Sequence, residues 1–72
     1  MKNFKYGNLL RRIRLESGLT QAQVASRIGE PQSYVSKYEN GEQRLDLFEL
    51  EQICSAIGVS LMDFVRLYLE AE

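Results

Sequence analysis

The stretch TQAQVASRIGEPQSYVSKYENG, Thr20 to Gly41, decides how this 72-residue chain folds. Thr20 is a favoured helix N-cap, and Gln23 three positions later is able to complete a capping box. Apolar residues then recur at helical spacing until Gly29, which is suited to end a helix. A second helix begins at Pro31 or Gln32 and runs to the end of the stretch. The sequence therefore predicts two helices joined by a very short link.

The link Gly29-Glu30-Pro31 is too short for the two helices to run antiparallel. It suits a sharp turn that sets the helix axes at roughly 90–120° to each other. Such a turn needs a glycine with positive φ, and it needs a small residue, here Ala25, where the helices come closest. With Val35 and Tyr38 directed inward, the second helix exposes a polar face.

This polar face carries the amide, hydroxyl and ammonium groups that read the edges of DNA bases. Glutamine pairs bidentately with adenine, serine donates or accepts, and lysine reaches guanine acceptors or a phosphate. The N-terminus of the first helix adds backbone N–H groups that favour a phosphate. The candidate DNA contacts from this stretch are Gln21, Gln32, Ser33, Ser36 and Lys37, with Tyr34 at the margin of the face. Taken singly, each is also compatible with ordinary solvated helix surface.

Three further helices and no strand are predicted outside this stretch. The first helix runs from Phe4 to Ser17, with Asn3 as its cap. The fourth starts at Asp46, with Glu49 at the capping-box position, and the fifth spans residues 60–70. The residues expected to face the core from these last two helices are Leu47, Leu50, Ile53, Cys54, Ile57, Leu61, Phe64, Val65 and Tyr68.

The fifth helix carries more apolar residues than one small core requires. The surplus residues, which we take as candidates for a homodimer interface, are Met62, Leu67, Tyr68 and Leu69. The alternative is a loosely packed terminal helix. Helix 60–70 is therefore a possible dimerisation helix.

The net charge of −1 argues against a nucleic-acid partner, but the charges are unevenly distributed. Residues 1–44 contain eight basic and four acidic side chains, whereas residues 45–72 contain one basic and six acidic side chains. A chain with this asymmetry is able to present one positive face while remaining acidic as a whole.

Several classes of function are disfavoured by composition. The chain has no histidine, a single cysteine and no phosphate-binding glycine loop, so we predict no enzyme, metal site or cofactor. Cys54 lies in an apolar helical pattern and is expected to be a small buried hydrophobe. No apolar run approaches the roughly 20 residues that span a bilayer, and MKNFKYG is too polar for a signal peptide. We expect a cytoplasmic protein with no membrane partner and no evident small-molecule effector.

The segment from Gln21 to Asn40 resembles the helix-turn-helix of the phage repressor and Cro family, the Xre-like regulators. The matching residues are Gln21, Ala25, Gly29, Val35 and Tyr38, with the flanks Gly18-Leu19-Thr20 and Glu39-Asn40-Gly41. The likeness continues in YGNLLRRIR and LFELEQICSAIGVSLMDF. It implies an all-α, compact five-helix bundle of the lambda-repressor-like type, with residues 1–72 as one domain and the helix-turn-helix at 21–40.

The resemblance also implies roles for individual residues. Gln21 would contact a phosphate and brace the second motif helix, from which Gln32, Ser33 and Lys37 would face base edges in the major groove. Asn40 would sit on the sugar-phosphate backbone, and Arg44 would reach a phosphate or the minor groove. Arg14 and Glu39 match a partly buried structural ion pair.

The implied function is a sequence-specific duplex-DNA-binding transcriptional regulator, dimeric on an inverted repeat. The carboxylates Glu30 and Glu42, together with the acidic total, leave an alternative open, and the chain departs from the family pattern at two positions. Glu30 stands where the family usually has an apolar residue, and Pro31 stands where a serine or threonine cap is common. The alternative is a protein-interaction module, for example antitoxin-like, that keeps the fold and has weak or no DNA binding.

Overall fold

Five α-helices make up residues 5–70, the part of the chain that the computed structural model describes. They are α1 (Lys5–Glu16), α2 (Gln21–Ile28), α3 (Gln32–Glu39), α4 (Leu47–Ala56) and α5 (Leu61–Glu70), and no strand occurs in this part. α2 packs on α3 and α4, α1 packs on α3 and α5, and α4 packs on α5. The predicted all-α, five-helix fold is confirmed. The cap predicted at Asn3 and the start predicted at Phe4 lie outside the described residues.

Both predicted capping boxes are present. The Thr20 hydroxyl accepts from the Gln23 amide at 3.1 Å, and the Gln23 side-chain oxygen accepts from the Thr20 amide at 2.8 Å. Asp46 and Glu49 make the same reciprocal pair at 2.7 and 2.9 Å. These bonds satisfy amides that the first turn of a helix leaves without a partner. Local sequence alone therefore sets where α2 and α4 begin.

The turn between α2 and α3 is built on Gly29, which adopts the left-handed conformation (φ 71°, ψ 31°). The Glu30 amide then donates to the Ala25 carbonyl at 3.0 Å and closes the end of α2. Pro31 follows as the N-cap of α3, in an extended conformation (φ −68°, ψ 155°) and without a side-chain cap bond. α3 therefore begins at Gln32, so the second of the two starts considered above is the correct one.

The five helices share one hydrophobic core. Its buried members are Leu9, Leu10, Ile13, Val24, Ala25, Val35, Tyr38, Ile53, Cys54, Ile57 and Phe64. Cys54 is completely buried, and this burial raises the pKa of its thiol to about 11. The expectation that Cys54 is a buried apolar residue is confirmed.

Gly7 lets α1 and α3 approach at backbone distance. A Cβ atom at this position would overlap the carbonyl oxygen of Tyr38 and would lie 3.1 Å from that of Glu39. Any side chain would therefore push the end of α3 away from α1. Sequence alone shows only the cost of a glycine inside a helix, about 1 kcal/mol relative to alanine.

Two residues expected to face the core do not. Leu47 is 70% exposed because it is the first residue of α4, directly after the cap, and it projects beyond the core. Val65 is 40% exposed because the buried stripe of α5 is centred on Phe64. The partners of Phe64 in that stripe are Leu61, Leu67 and Tyr68, which all pack against the core.

No single helix within residues 5–70 is long and apolar enough to cross a membrane. Taken together, α4 and α5 would be long and apolar enough by length and composition alone, as a pair of helices bent by 100°.

Candidate nucleic-acid interface

The outer face of α3 is the candidate contact surface. Val35 and Tyr38 are buried on the inner side of the helix, which leaves Gln32, Ser33 and Lys37 exposed on the outer side. α3 has eight residues and is therefore about 12 Å long, close to the width of the DNA major groove. The helix is thus short enough to present all three side chains within one groove.

A buried ion pair fixes the position of α3. The Arg14 Nε and Nη2 atoms donate to the two carboxylate oxygens of Glu39 at 2.7 and 3.1 Å, and Nη1 donates to the Leu19 carbonyl at 2.9 Å. Hydrogen bonding to Glu39 raises the pKa of the Arg14 guanidinium above its ordinary value, so Arg14 stays charged. The pair implied by the family resemblance therefore joins α1 to the end of α3.

Gln21 connects this ion pair to the outer face of α3. Its side-chain Nε2 donates to Glu39 Oε1 at 3.0 Å, and its Oε1 accepts from Gln32 Nε2 at 3.4 Å. Because a carboxylate only accepts, Gln21 must turn its NH2 group toward Glu39 and its oxygen toward Gln32. This long hydrogen bond favours one orientation of the Gln32 amide from within the protein.

The Gln32 amide keeps both kinds of hydrogen-bonding group available on the outer face. Only one of its two N–H groups is directed to Gln21, which leaves the second N–H and the Oε1 atom for another partner. A donor and an acceptor side by side match the N7 and N6 positions of adenine.

Tyr34 and Ser36 are half-buried and have partners within the protein. The Tyr34 ring packs edge-on against Tyr38, with centroids 5.7 Å apart. Burial raises the pKa of Tyr34 to about 12, and the nearby carboxylate of Glu49 adds to the shift. Ser36 accepts a long hydrogen bond, 3.4 Å, from the side chain of Asn40. Both residues thus lie at the edge of the α3 face.

Asn40 and Arg44 are exposed at the loop that follows α3. This loop is anchored at its far end, where the Leu45 amide donates to the Tyr6 hydroxyl at 3.0 Å. Tyr6 was not among the predicted site residues. Nothing in its local sequence points to a partner 39 positions away.

The two ends of α3 each have a carboxylate nearby. Glu30 precedes the helix, Glu42 follows it, and both are exposed. The three ion pairs found between residues 5 and 70 do not include either of them. These two side chains are the unfavourable charges near the candidate interface.

The outer face of α5 is apolar instead of polar. Met62 and Leu69 are 77% and 71% exposed, and Val65 stands between them, so the three residues follow helical spacing along one face. We call Met62, Val65 and Leu69 the α5 stripe. Of the other two candidates for the dimer interface, Leu67 and Tyr68 are half-buried and pack on the core.

Arg27 is exposed, and its Nη1 donates to the Ala56 carbonyl at 2.7 Å and so caps the C-terminus of α4. Within the described part of the chain, no group of histidine, cysteine, aspartate and glutamate side chains is arranged to hold a metal ion.

These features define a helix-turn-helix protein: two short helices joined at a left-handed glycine, the second with an exposed polar face, on a five-helix support. A helix-turn-helix family model matches residues 10–64. The chain belongs to this family, and specifically to the Xre-like regulators of the phage repressor and Cro type.

Three relatives illustrate the similarity. An uncharacterized HTH-type transcriptional regulator, y4dJ of Sinorhizobium fredii, is 37% identical over 59 residues, which cover 82% of this chain and 77% of that protein. An XRE-family like protein from Pseudomonas syringae pv. tomato is 38% identical, with a TM-score of 0.84 and coverage of 94% and 84%. The restriction-modification controller protein C.Esp1396I, a tetramer in complex with its natural 35 base-pair operator, is 29% identical, with a TM-score of 0.85 and coverage of 92% and 87%.

Proposed function

We propose that this protein is a sequence-specific duplex-DNA-binding regulator of transcription. Residues 1–72 act as one domain whose helix-turn-helix, residues 21–40, reads base edges in the major groove. The controller protein with a similar fold is bound to its operator, which supports this function. The DNA contacts would come from Gln21, Gln32, Ser33, Tyr34, Ser36, Lys37, Asn40 and Arg44.

The observation that carries the proposal is the chain of bonds from Arg14 through Glu39 and Gln21 to Gln32. Through Gln21, a buried ion pair is linked to an exposed amide by a long hydrogen bond, which favours one orientation of that amide. Such preorganisation lowers the entropic cost of binding an oriented ligand. It is expected where the Gln32 amide must distinguish one base from another.

Backbone contacts would supply most of the affinity. Gln21 at the N-terminus of α2, and Asn40 and Arg44 after α3, would make these contacts. Lys37 on the α3 face would reach a phosphate in addition to base edges. With about 4–6 phosphates neutralised per subunit, log affinity should fall with log salt at a slope of about −4 to −5. Glu30 and Glu42 reduce non-specific affinity and make the protein dependent on base contacts.

The α5 stripe supports action as a dimer. One subunit reads only about five base pairs, and a homodimer on an inverted repeat doubles that length. Helix 60–70 would form the interface through the exposed Met62, Val65 and Leu69, with the half-buried Leu67 and Tyr68 at its edge. The protein would act in the cytoplasm and would have no catalytic activity, cofactor or small-molecule effector.

The test is selection of bound duplexes from a random DNA library at near-physiological salt. Enrichment of an inverted repeat with half-site centres about 10 base pairs apart is the expected result. If a folded, monodisperse protein enriches no sequence, the proposal is wrong.

The exposed carboxylates Glu30 and Glu42 favour a second candidate function, a protein-interaction module of the antitoxin-like kind. Such a module would ignore duplex DNA at physiological salt. Replacing both carboxylates with glutamine separates the two functions. A DNA-binding regulator should gain affinity for duplex DNA, whereas an interaction module should still fail to bind it and should lose its protein partner.

A further inference from the structure

The loop between α3 and α4, residues 40–46, is held by one hydrogen bond at its start and by two at its end. At its start the Glu42 amide donates to the Lys37 carbonyl at 2.8 Å. At its end the Asp46 amide donates to Glu49 at 2.9 Å. Between these points the Leu45 amide donates to the Tyr6 hydroxyl at 3.0 Å. Of these three hydrogen bonds, the one between Leu45 and Tyr6 joins the loop to a distant part of the chain.

Tyr6 provides a rigid anchor for this bond. It belongs to the first turns of α1, and its half-buried ring packs against the hydrophobic core, as does Leu45. The bond therefore connects the loop to the body of the protein.

The amide bound by Tyr6 is part of the peptide unit that joins Arg44 to Leu45. Because a peptide unit is planar, fixing the Leu45 N–H also fixes the direction of the Arg44 carbonyl and the position of the Arg44 Cα atom, which lies in the same plane. The carbonyl oxygen of the same peptide, Arg44 O, accepts a longer hydrogen bond, 3.4 Å, from Nε2 of the Gln43 side chain. Both edges of the Arg44–Leu45 peptide are thus bonded.

We infer that Tyr6 is a positioning residue for Arg44, and that it acts on DNA affinity without touching DNA. The inference rests on the proposed function, in which Arg44 meets the DNA backbone. A fixed loop delivers the guanidinium to one place and removes the entropic cost of ordering the loop on binding. Because phosphate contacts carry no base information, Tyr6 affects affinity for all duplexes alike and leaves base preference unchanged.

A double-mutant cycle tests the inference with the full chain. The variants are Tyr6→Phe, which removes only the hydroxyl, Arg44→Ala, and the two combined, each titrated with the selected operator over a range of salt. Gln43→Ala is a second variant at the same peptide. Ser17→Ala is the matched control, because the Ser17 hydroxyl, directly after α1, also bonds a distant part of the chain: it donates to the Ile57 carbonyl, directly after α4, at 3.1 Å.

The expected result is a loss of about fivefold in affinity per bound subunit for Tyr6→Phe, which corresponds to ordering the backbone of about one additional loop residue on binding. This loss should disappear when Arg44 is already alanine, and Tyr6→Phe should also reduce the steepness of the salt dependence. Gln43→Ala should behave the same way with a smaller loss, and Ser17→Ala should show no coupling to Arg44.

Two results would overturn the inference: additive effects of Tyr6→Phe and Arg44→Ala, or an unchanged salt dependence in Tyr6→Phe. Its failure differs from failure of the proposed function. If Lys37→Ala weakens operator binding and Arg44→Ala does not, only the inference is wrong. If neither variant alters binding to duplex DNA, the proposed function is wrong as well.

Discussion

The outer faces of α3 and α5 are opposite in character although both helices pack on the same core. α3 presents Gln32, Ser33 and Lys37, which remain well hydrated in the free protein. α5 presents Met62 and Leu69, which water disfavours at about 25 cal/mol per Å² of exposed apolar surface. The contrast indicates two kinds of partner, a charged and hydrated one for α3 and an apolar protein surface for α5.

The charges agree with this division. On the outer side of α5 the polar residues Asp63 and Arg66 neutralise each other at 3.1 Å. At α3, among residues 5–70, the ion pair of Arg14 with Glu39 is buried and structural, and Lys37 is exposed at the candidate interface. A nucleic-acid partner is expected to meet exposed positive charge, whereas a dimer interface is expected to exclude charge from its centre.

The largest predicted effect would remove both faces together. Replacing Arg14 with methionine leaves the Glu39 carboxylate buried without its partner, and the free energy of unfolding should fall by about 3–5 kcal/mol. Denaturant unfolding measures this change. The matched control is Arg12→Met, because Arg12 meets Glu16 at 3.9 Å in an exposed pair that should contribute little. Equal losses in the two variants would mean that the α1–α3 ion pair does not support the fold.

The next prediction concerns only the α5 stripe. Leu69→Glu places a charge in the proposed interface, so dimerisation should weaken by about 3 kcal/mol while the free energy of unfolding of the monomer stays the same. Analytical ultracentrifugation measures the association. Leu15→Glu is the control, since Leu15 is 56% exposed on α1, outside the stripe. If both variants dissociate the dimer, or if neither does, the α5 stripe is not the dimer interface.

A smaller effect is expected on the α3 face. Gln32→Ala should abolish the preference for one base in each half-site, worth about 2 kcal/mol of discrimination, with little change in stability. Repeating the library selection with the variant measures this. Gln23→Ala is a suitable comparison, because Gln23 lies at the start of α2 and bonds Thr20 instead of facing outward from α3. An unchanged base preference would show that the orientation of the Gln32 amide is not used for readout.

The smallest effect is expected for Lys37→Ala. Binding should weaken equally for all duplexes, and the salt slope should decrease in magnitude by about 1 per subunit. Titrations at several salt concentrations give the slope. A change in base preference would instead assign Lys37 to base readout and place it beside Gln32 in function.

Sequence reasoning succeeded where the determinants are local. The capping boxes at Thr20 and Asp46, and the turn at Gly29, each involve residues a few positions apart. The buried stripes of α2 and α3 follow from helical periodicity, and so does the exposed polar face of α3. For the same reason the helix-turn-helix could be identified before its geometry was known.

The remaining features depend on contacts between distant segments. Gly7 looks like a helix defect until the carbonyls of Tyr38 and Glu39 are seen against it. The bonds of Tyr6 to Leu45 and of Arg27 to Ala56 join residues with no shared local pattern. Val65 was predicted to face the core because helical periodicity gives the spacing of the apolar residues in a helix but not which of them lies at the centre of the buried face. In a helix that is apolar nearly all round, the neighbouring helices decide that centre.

The burial of Cys54 makes the only thiol of the chain a reporter of core opening. With no exposed surface and a pKa of about 11, it cannot react in the closed structure at neutral pH. The rate at which a thiol reagent labels Cys54 therefore reports how often local unfolding exposes α4. Because Cys54 is distant in sequence from the α3 face, a change in that rate upon DNA binding would measure how strongly the ligand stabilises the whole domain.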